Sequence, residues 1–395
     1  MLVSVLNVTI QTSVAPENFR TGSNPYSGQK PLPEAGSRDS RRQRRLPEDE
    51  ACEERLRSEP WCAMDAYRVI LMMHLPVTKG SVGVDIGGDF SFADIGSAVG
   101  EASFQSALDK LSQEHPVSML TSGRTAYLNA WLNLKEGGRP LRRVLLPSYL
   151  CYSMLSPFQR LRVRSEHYRV LSDLSVDIDD LSQKVSADME GTLVVVANYF
   201  GFPEREDLLC ALSEIRRQGG LVLYDATHST LCERPWPRMT PAYGPNVCIM
   251  SLRKSLPVVD GAVLVWLDGT EPAFCGGKPQ LDGFCSARAL AMMLKSAHVA
   301  DGFGSREDYL LLFDQAEAAL DNSFSPTSAM SPVSRSILKR MDIEKISRAR
   351  RRNYSRLMTE LERCEEVRAV FPGLPESAVP LGFPVVVEDR DLLWK

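Results

Sequence analysis

Residues 193–228 read LVVVANYFGFPEREDLLCALSEIRRQGGLVLYDATH, and the order of textures in this stretch decides the fold. Residues 193–197 form a short apolar, β-branched run that reads as a strand. Pro203 then stands at a helix start, and Leu208, Leu209, Leu212 and Ile215 recur at helical spacing. Gly219-Gly220 supplies the stop, and residues 221–224 open a second apolar run. Strand, crossover helix and strand make a βαβ unit, and such units place ligands at the carboxyl ends of their strands.

The same alternation extends outward in both directions. Residues 144–146, 247–250 and Ala262–Trp266 read as further strands, and short β-branched runs alternate with helical patterns from Val117 onward. This predicts an α/β fold with a mostly parallel sheet. After about Ala289 the pattern turns helical, with Tyr309, Leu312, Phe313, Ala316 and Leu320 on one face. A basic, polar helix is expected around Ile343–Leu361, carrying Arg348, Arg350, Arg351 and Arg352. The last strand-like run is Phe383-Pro384-Val385-Val386-Val387, and a chain that stops soon after a new strand is expected to lack the rest of a second domain.

Residues 1–75 differ in texture. Prolines surround the basic run Arg41, Arg42, Arg44 and Arg45, the acidic cluster Glu48, Asp49, Glu50, Glu53 and Glu54 follows at once, and no apolar residue repeats at a folding period. Too little apolar surface is available there to offset the ordering entropy, so a disordered N-terminal extension is expected. A natural start at Met64, Met72 or Met73 is the alternative.

The whole chain has 395 residues, 46 Lys+Arg against 50 Asp+Glu, 44% hydrophobic and 24% charged residues. These are globular proportions, and the slightly acidic balance leaves no global basic field for nucleic acid or an anionic membrane. No stretch approaches the ~20 apolar residues needed to cross a bilayer. The cysteines are scattered, odd in number and never in a C-x-x-C pair, which argues against a disulfide framework or a structural zinc site and for a reducing, cytoplasmic setting. The expected partners are small molecules, with no nucleic acid and no membrane.

Four motifs fall at turns directly after the expected strands. Thr121-Ser122-Gly123-Arg124-Thr125 precedes a helix carrying Leu128, Trp131 and Leu132; a small hydroxyl and a glycine at a helix start make an anion site, and equally an ordinary N-cap. In Val196-Ala197-Asn198-Tyr199-Phe200-Gly201 a polar residue leaves a buried strand, where Asn198 either meets a ligand oxygen or closes a turn. Asp225, in Tyr224-Asp225-Ala226-Thr227-His228, ends an apolar strand, where its desolvation demands a cation or a protonated ring nitrogen. Metal binding by Asp225 and His228 is poorly supported, because no third ligand is near in sequence. Met250-Ser251-Leu252-Arg253-Lys254 offers a lysine in a sheltered turn, the setting in which an amine becomes a Schiff-base nucleophile. Cys151 lacks an evident base and reads as a small apolar residue rather than a nucleophile. A dinucleotide-binding reading fails because no G-x-G-x-x-G opens the first crossover; Gly87-Gly88 is too short a signal.

The order of these motifs resembles the fold-type I pyridoxal phosphate (PLP) enzymes, and within them the sugar and antibiotic aminotransferases of the DegT/DnrJ/EryC1/StrS family. The resemblance rests on Ser122-Gly123-Arg124, Leu146-Pro147-Ser148-Tyr149, Asn198-Tyr199-Phe200-Gly201-Phe202-Pro203, Asp225-Ala226-Thr227-His228 and Ser251-Leu252-Arg253-Lys254, and covers roughly residues 85–390. It implies a three-layer α/β/α large domain over 76–325 that binds PLP, and the start of a small, truncated C-terminal α+β domain over 326–395. It also implies that Lys254 is the Schiff-base lysine, that Asp225 faces the pyridine nitrogen, and that His228 lies beside the ring. Ser122, Gly123, Arg124 and Ser251 would then hold the cofactor phosphate, Asn198 would contact the phenolic oxygen, and Tyr149 or Tyr152 would stack on the ring where the family usually has an aromatic at the place of Cys151. Arg124 departs from the commoner Thr, and the Ser-x-x-Lys spacing is tighter than in many sugar aminotransferases. The implied activity is amino-group transfer from an amino donor to a keto sugar or small keto metabolite, in a homodimer. Other PLP carbanion chemistry (a lyase, decarboxylase or dehydratase), or a catalytically silent protein of this fold, are the alternatives.

Overall fold

Successive side chains of a strand point to opposite faces, and in the apolar runs of this chain both faces are apolar, so the strands need cover on two sides. The computed structural model describes residues 4–6 and 89–387, apart from 102, 234, 237–243, 275, 278, 280–282, 324 and 365–366. All of them fall within one compact unit, 1–11 together with 66–395. In chain order the strands are β1 (Ser4–Leu6), β2 (Val117–Leu120), β3 (Arg143–Pro147), β4 (Arg164–Tyr168), β5 (Thr192–Ala197), β6 (Leu221–Asp225), β7 (Val247–Ser251), β8 (Ala262–Trp266), β9 (Val367–Ala369) and β10 (Phe383–Val387). The helices are α1 (Ala93–Ala98), α2 (Phe104–Glu114), α3 (Gly123–Glu136), α4 (Tyr152–Arg160), α5 (Ile178–Ser186), α6 (Glu206–Arg217), α7 (Gly283–Asp301), α8 (Arg306–Ser323), α9 (Pro332–Leu338) and α10 (Ile343–Leu361).

A seven-stranded sheet runs in the order β2-β8-β7-β6-β5-β3-β4. Its residues divide by parity between two cores. Leu193, Val195, Leu221, Leu223, Val247 and Ile249 pack with Trp131 of α3 and Phe158 of α4 on one face. Val194, Val196, Val222, Tyr224, Cys248 and Met250 pack with Leu181 of α5 and Leu212 of α6 on the other. Each fully buried Val or Leu contributes roughly 1.5–3 kcal/mol, which makes this double-sided packing the main source of stability. The expected three-layer α/β/α arrangement with a mostly parallel sheet is therefore observed. Only β8 runs antiparallel to its neighbours in the sheet. The reason is length: residues 252–261 are fewer than the dozen or so that a parallel crossover needs.

The helix expected after Pro203 begins three residues later, at Glu206, and ends at Arg217; Gly219 follows it with φ +86°. The helix expected at Ile343–Leu361 has those bounds. Strand β4 was not expected, because RSEHY is a half-exposed edge strand with no apolar run.

A small antiparallel sheet, β1-β10-β9, lies beside α10, whose Tyr354 ring meets Phe383 at 4.6 Å. Ser4–Leu6, within the stretch expected to be disordered, pairs antiparallel with 383–385 along the edge of β10. The rest of the extension up to residue 75 lies outside the described residues. Helices α7 and α8 form a hairpin with its own core of Phe284, Met292, Tyr309 and Phe313. Asp260, fully buried in the β7–β8 connection, accepts from Ser331 N (2.8 Å), Ser331 Oγ (2.5 Å) and Ser334 Oγ (2.5 Å), which ties that connection to the start of α9.

Candidate active site

The carboxyl ends of β3, β5, β6 and β7 open into a cavity of about 640 Å³. It is bordered also by the turn after β2, which runs alongside those strands because both it and β7 are antiparallel to β8. Gly123, Arg124, Tyr149, Asn198, Asp225, His228, Ser251 and Lys254 all line it. Ser122, also singled out from the sequence, stands behind the wall. Its hydroxyl accepts from Thr125 N at 3.2 Å as the N-cap of α3, so the side chain serves the helix while the first-turn N–H groups remain at the end of the helix dipole.

Gly123 and Ser251 face each other across a narrow notch. A Cβ added at Gly123 would come within 3.5 Å of Ser251 Cβ and fill it. Ser251 is held by its backbone N–H, which donates to Thr227 Oγ1 at 3.1 Å. The notch suits a small anion approached by main-chain N–H groups and a hydroxyl.

Arg124 does not turn into this notch. Its Nε pairs with Asp321 Oδ1 at 2.7 Å and its NH1 with Glu317 Oε2 at 3.3 Å, both on α8. Glu317 also takes an ion pair from Arg253 and a longer one, 3.7 Å, from Arg288 of α7, which in turn meets Asp89 at 2.6 Å. Burial works to raise the Glu317 carboxyl, but the charges of Arg253, Arg124 and Arg288 outweigh it and hold the group below the usual carboxylate range. Arg288, Glu317 and Asp89 all line the cavity and none is legible in the sequence as a site residue. Arg288 and Glu317 come from helices beyond the motif region.

Asp225 is held at both oxygens. Oδ1 accepts from Thr227 N at 2.8 Å, and Oδ2 accepts from the Tyr127 hydroxyl at 2.6 Å. Tyr127 was missed because it sits within the apolar side of α3; the available signal was its place four residues after Gly123, hence on the same helix face. Burial first, and then the Asp225 charge, push the Tyr127 hydroxyl well above its usual pKa, so it stays a donor.

His228 accepts the Phe200 N–H at Nδ1, 3.2 Å away. A main-chain N–H can only donate, so the ring proton belongs on Nε2. Burial, followed by the charges of Lys254 and Arg350, pushes the His228 pKa down to about 3. Lys254 follows β7 in a 3-10 turn, Leu252–Lys254, and is exposed within the cavity; among the described residues no hydrogen bond or ion pair reaches its amine.

Asn198 closes a turn rather than reaching forward. Its Oδ1 accepts from Gly201 N at 2.9 Å, and its Nδ2 donates to Phe202 O (2.7 Å), Glu204 Oε1 (2.9 Å) and Tyr224 Oη (3.1 Å). This turn needs Gly201, whose φ is +80° and where a Cβ would run into the Val379 carbonyl. Of the candidate stacking residues, Tyr149 lines the cavity and is braced by the Tyr199 hydroxyl on its carbonyl at 2.6 Å. Tyr152 is 60% exposed and does not line it, whereas Cys151 does. Among the described residues no group of three or more His, Cys, Asp or Glu is placed to hold a metal ion, and no helix is long and apolar enough to cross a membrane.

Together the cavity offers an amine, a braced carboxylate, an anion notch and an aromatic wall. Among the described residues the buried Nε atoms of Arg253 and Arg288 have no hydrogen-bond partner. These groups fit a phosphorylated aromatic aldehyde: the notch and the unsatisfied guanidinium N–H groups match the phosphate, and the amine matches the aldehyde.

No protein-family model matches the chain, and no curated protein matches it either. Solved structures do. AtS13 from Actinomadura melliaura superposes with a TM-score of 0.50 at 17% identity, over 80% of this chain and 83% of that one. The sugar aminotransferase CalS13 from Micromonospora echinospora gives 0.46 at 18% identity, over 73% of each chain. A DegT DnrJ EryC1 StrS aminotransferase from Brucella abortus gives 0.43 at 16% identity, over 76% of this chain and 74% of that one. At such identities the likeness is one of fold, and the likeness to AtS13 shows that this chain shares its fold.

Proposed function

We propose that this chain is a PLP-dependent aminotransferase of the DegT/DnrJ/EryC1/StrS kind, moving an amino group from a small amino donor to a keto sugar or small keto metabolite. The observation that carries the reading is the convergence of Lys254, Asp225 and the Gly123–Ser251 notch on one cavity at the strand ends. When bound, the cofactor supplies a protonated ring that draws electrons away from the carbon bearing the transferred nitrogen.

The chain's own residues do the rest. Lys254 would provide the amine that holds the cofactor and, when free, the base that takes the proton from the substrate carbon bearing the amino group. Thr227 and Tyr127 hold the two oxygens of Asp225, which fixes the carboxylate in the orientation in which it would meet a ring nitrogen. His228 is neutral near neutral pH and adds no positive charge beside Lys254; its Nε2–H is the donor left for a ligand. The notch and the first turn of α3 receive the phosphate, and Tyr149 supplies the flat apolar face.

The division into a PLP-binding part, 76–325, and a smaller part, 326–395, belongs to the same proposal; Leu381 of the latter lines the cavity. So does a cytoplasmic location, which the unpaired Cys151, Cys210, Cys232, Cys248 and Cys364 suit. A homodimer is proposed through the outer face of the α7–α8 hairpin, where Leu290, Met293, Leu310 and Leu311 are exposed.

The test is an absorption spectrum of purified protein with added PLP, for wild type and Lys254→Ala, before and after borohydride. A visible band that needs Lys254, and a reduced adduct mapped to that residue, are expected. Folded wild type with no such band overturns the reading. Adding an amino donor without acceptor then separates transfer from other carbanion chemistry, because only a transferase accumulates the aminated cofactor.

A further inference from the structure

Three guanidiniums from three separate elements share one carboxylate inside the cavity. Arg124 stands in the first turn of α3, Arg253 precedes Lys254, and Arg288 comes from α7; Glu317 of α8 pairs with each of them. All three arginines line the same cavity as Gly123 and Ser251. Their ion pairing is incomplete. The Arg288 side chain is 1% exposed, yet among the described residues its Nε has no acceptor, and the Nε of Arg253 is likewise buried and unmet. A buried N–H without an acceptor is costly, and two of them at one place call for oxygens that the present acids do not supply.

The chemistry of the missing oxygens follows from the donors. Guanidinium forks bind carboxylate and phosphate in the same planar geometry. A carboxylate brings two oxygens and one charge, whereas a phosphate monoester brings three oxygens and about two charges. Phosphate is therefore the better match for three arginines of which two carry an unmet Nε–H. Glu317 can yield its place, because its side chain is 37% exposed and sits at the water-facing border of the cluster. Asp321 and Asp89 keep their own pairs with Arg124 and Arg288, but Glu317 and a phosphate would take the same guanidinium N–H groups and repel each other, so these two compete.

We propose that Arg124, Arg253 and Arg288 form a dianion site that takes a phosphate monoester, and that Glu317 is its internal, exchangeable counter-ion, displaced when the phosphate binds. Assigning that phosphate to the cofactor rests on the function proposed above; the competition between Glu317 and a phosphate does not.

Inorganic phosphate is the probe, titrated calorimetrically into the full chain as wild type, Glu317→Gln and the double variant Glu317→Gln/Arg253→Gln. Glu317→Gln is expected to bind phosphate about tenfold more tightly than wild type, the scale of a typical coupling between competing ligands. The double variant is expected to lose that gain. Equal or weaker binding by Glu317→Gln, or no binding by either protein, overturns the proposal. Should Glu317→Gln fail to fold, Glu317→Asp decides: its shorter reach is expected to tighten phosphate binding severalfold, and unchanged affinity counts against the idea. Pyridoxal, which lacks the phosphate, separates the two readings. A Glu317→Gln gain for phosphate without any borohydride-trapped adduct at Lys254 leaves this site standing and removes the cofactor reading. An adduct that forms with PLP while phosphate affinity ignores Glu317 does the reverse.

Discussion

His228 illustrates how one residue's surroundings set its chemistry. Its Nδ1 is engaged by the Phe200 N–H, and burial, with Lys254 and Arg350 nearby, brings its pKa from the ordinary 6.5 down to about 3. The unfolded chain therefore binds a proton to this ring before the folded one does. The stability that His228 contributes is complete above about pH 6.5 and is lost as the pH falls from there toward 3. Wild type is expected to show a falling urea midpoint between about pH 6.5 and pH 4, and His228→Gln, whose side-chain oxygen can accept the same N–H, a shallower fall. Parallel slopes in the two proteins would assign the acid sensitivity elsewhere. Residues of this kind were legible in part. Asp225, His228 and Lys254 announce themselves as polar groups at the ends of apolar runs, which is a local signal. Tyr127, Arg288 and Glu317 carry no such signal, because a tyrosine in an apolar helix face and charges in ordinary helices look alike whether they meet solvent or a cavity.

At the level of elements, the β7–β8 connection is the part on which the site depends. Too short for a crossover helix, it turns β8 antiparallel and sets Lys254 in a 3-10 turn at the cavity edge. Asp260 fastens its far end to α9 through three hydrogen bonds. Asp260→Ala leaves the Ser331 N–H and two hydroxyls without their acceptor in a buried place, and is expected to cost on the order of 3 kcal/mol in urea unfolding, with Asp260→Asn in between. A loss under about 1 kcal/mol would show that the serines find other partners. The same scale explains which elements the sequence revealed. The apolar runs at 144–146, 193–197, 221–224, 247–250 and 262–266 all lie inside the sheet and are buried on both faces, so each leaves an unbroken hydrophobic trace. The edge strand β4, wet on one side, leaves none.

Across the whole molecule, α7 has an inverted polarity. Its cations Arg288 and Lys295 are buried inward, while Leu290 and Met293 face outward; Met293 is 57% exposed, and Leu311 of the adjoining α8 is 58% exposed. Such a face is costly in water and is expected to be covered by a second copy. Sedimentation of wild type should give a dimer, and Met293→Lys/Leu311→Lys a folded monomer; a monomeric wild type, or a dimer that survives both charges, excludes this face. What the sequence by itself determined is the part of the protein governed by local chemistry: the βαβ alternation, the helices with one apolar stripe, and the order of turns that puts a hydroxyl-glycine pair, an aspartate and a lysine after successive strands. Hydrophobic periodicity and turn chemistry act within a few residues, so they can be read without knowing the fold. The pairing of Tyr127 with Asp225, the turning of Arg124 away from the notch, and the gathering of three arginines around Glu317 were decided only by tertiary structure. They depend on where α3, α7 and α8 pack against the sheet, and on which charges, far apart in the chain, become each other's nearest neighbours once water is gone.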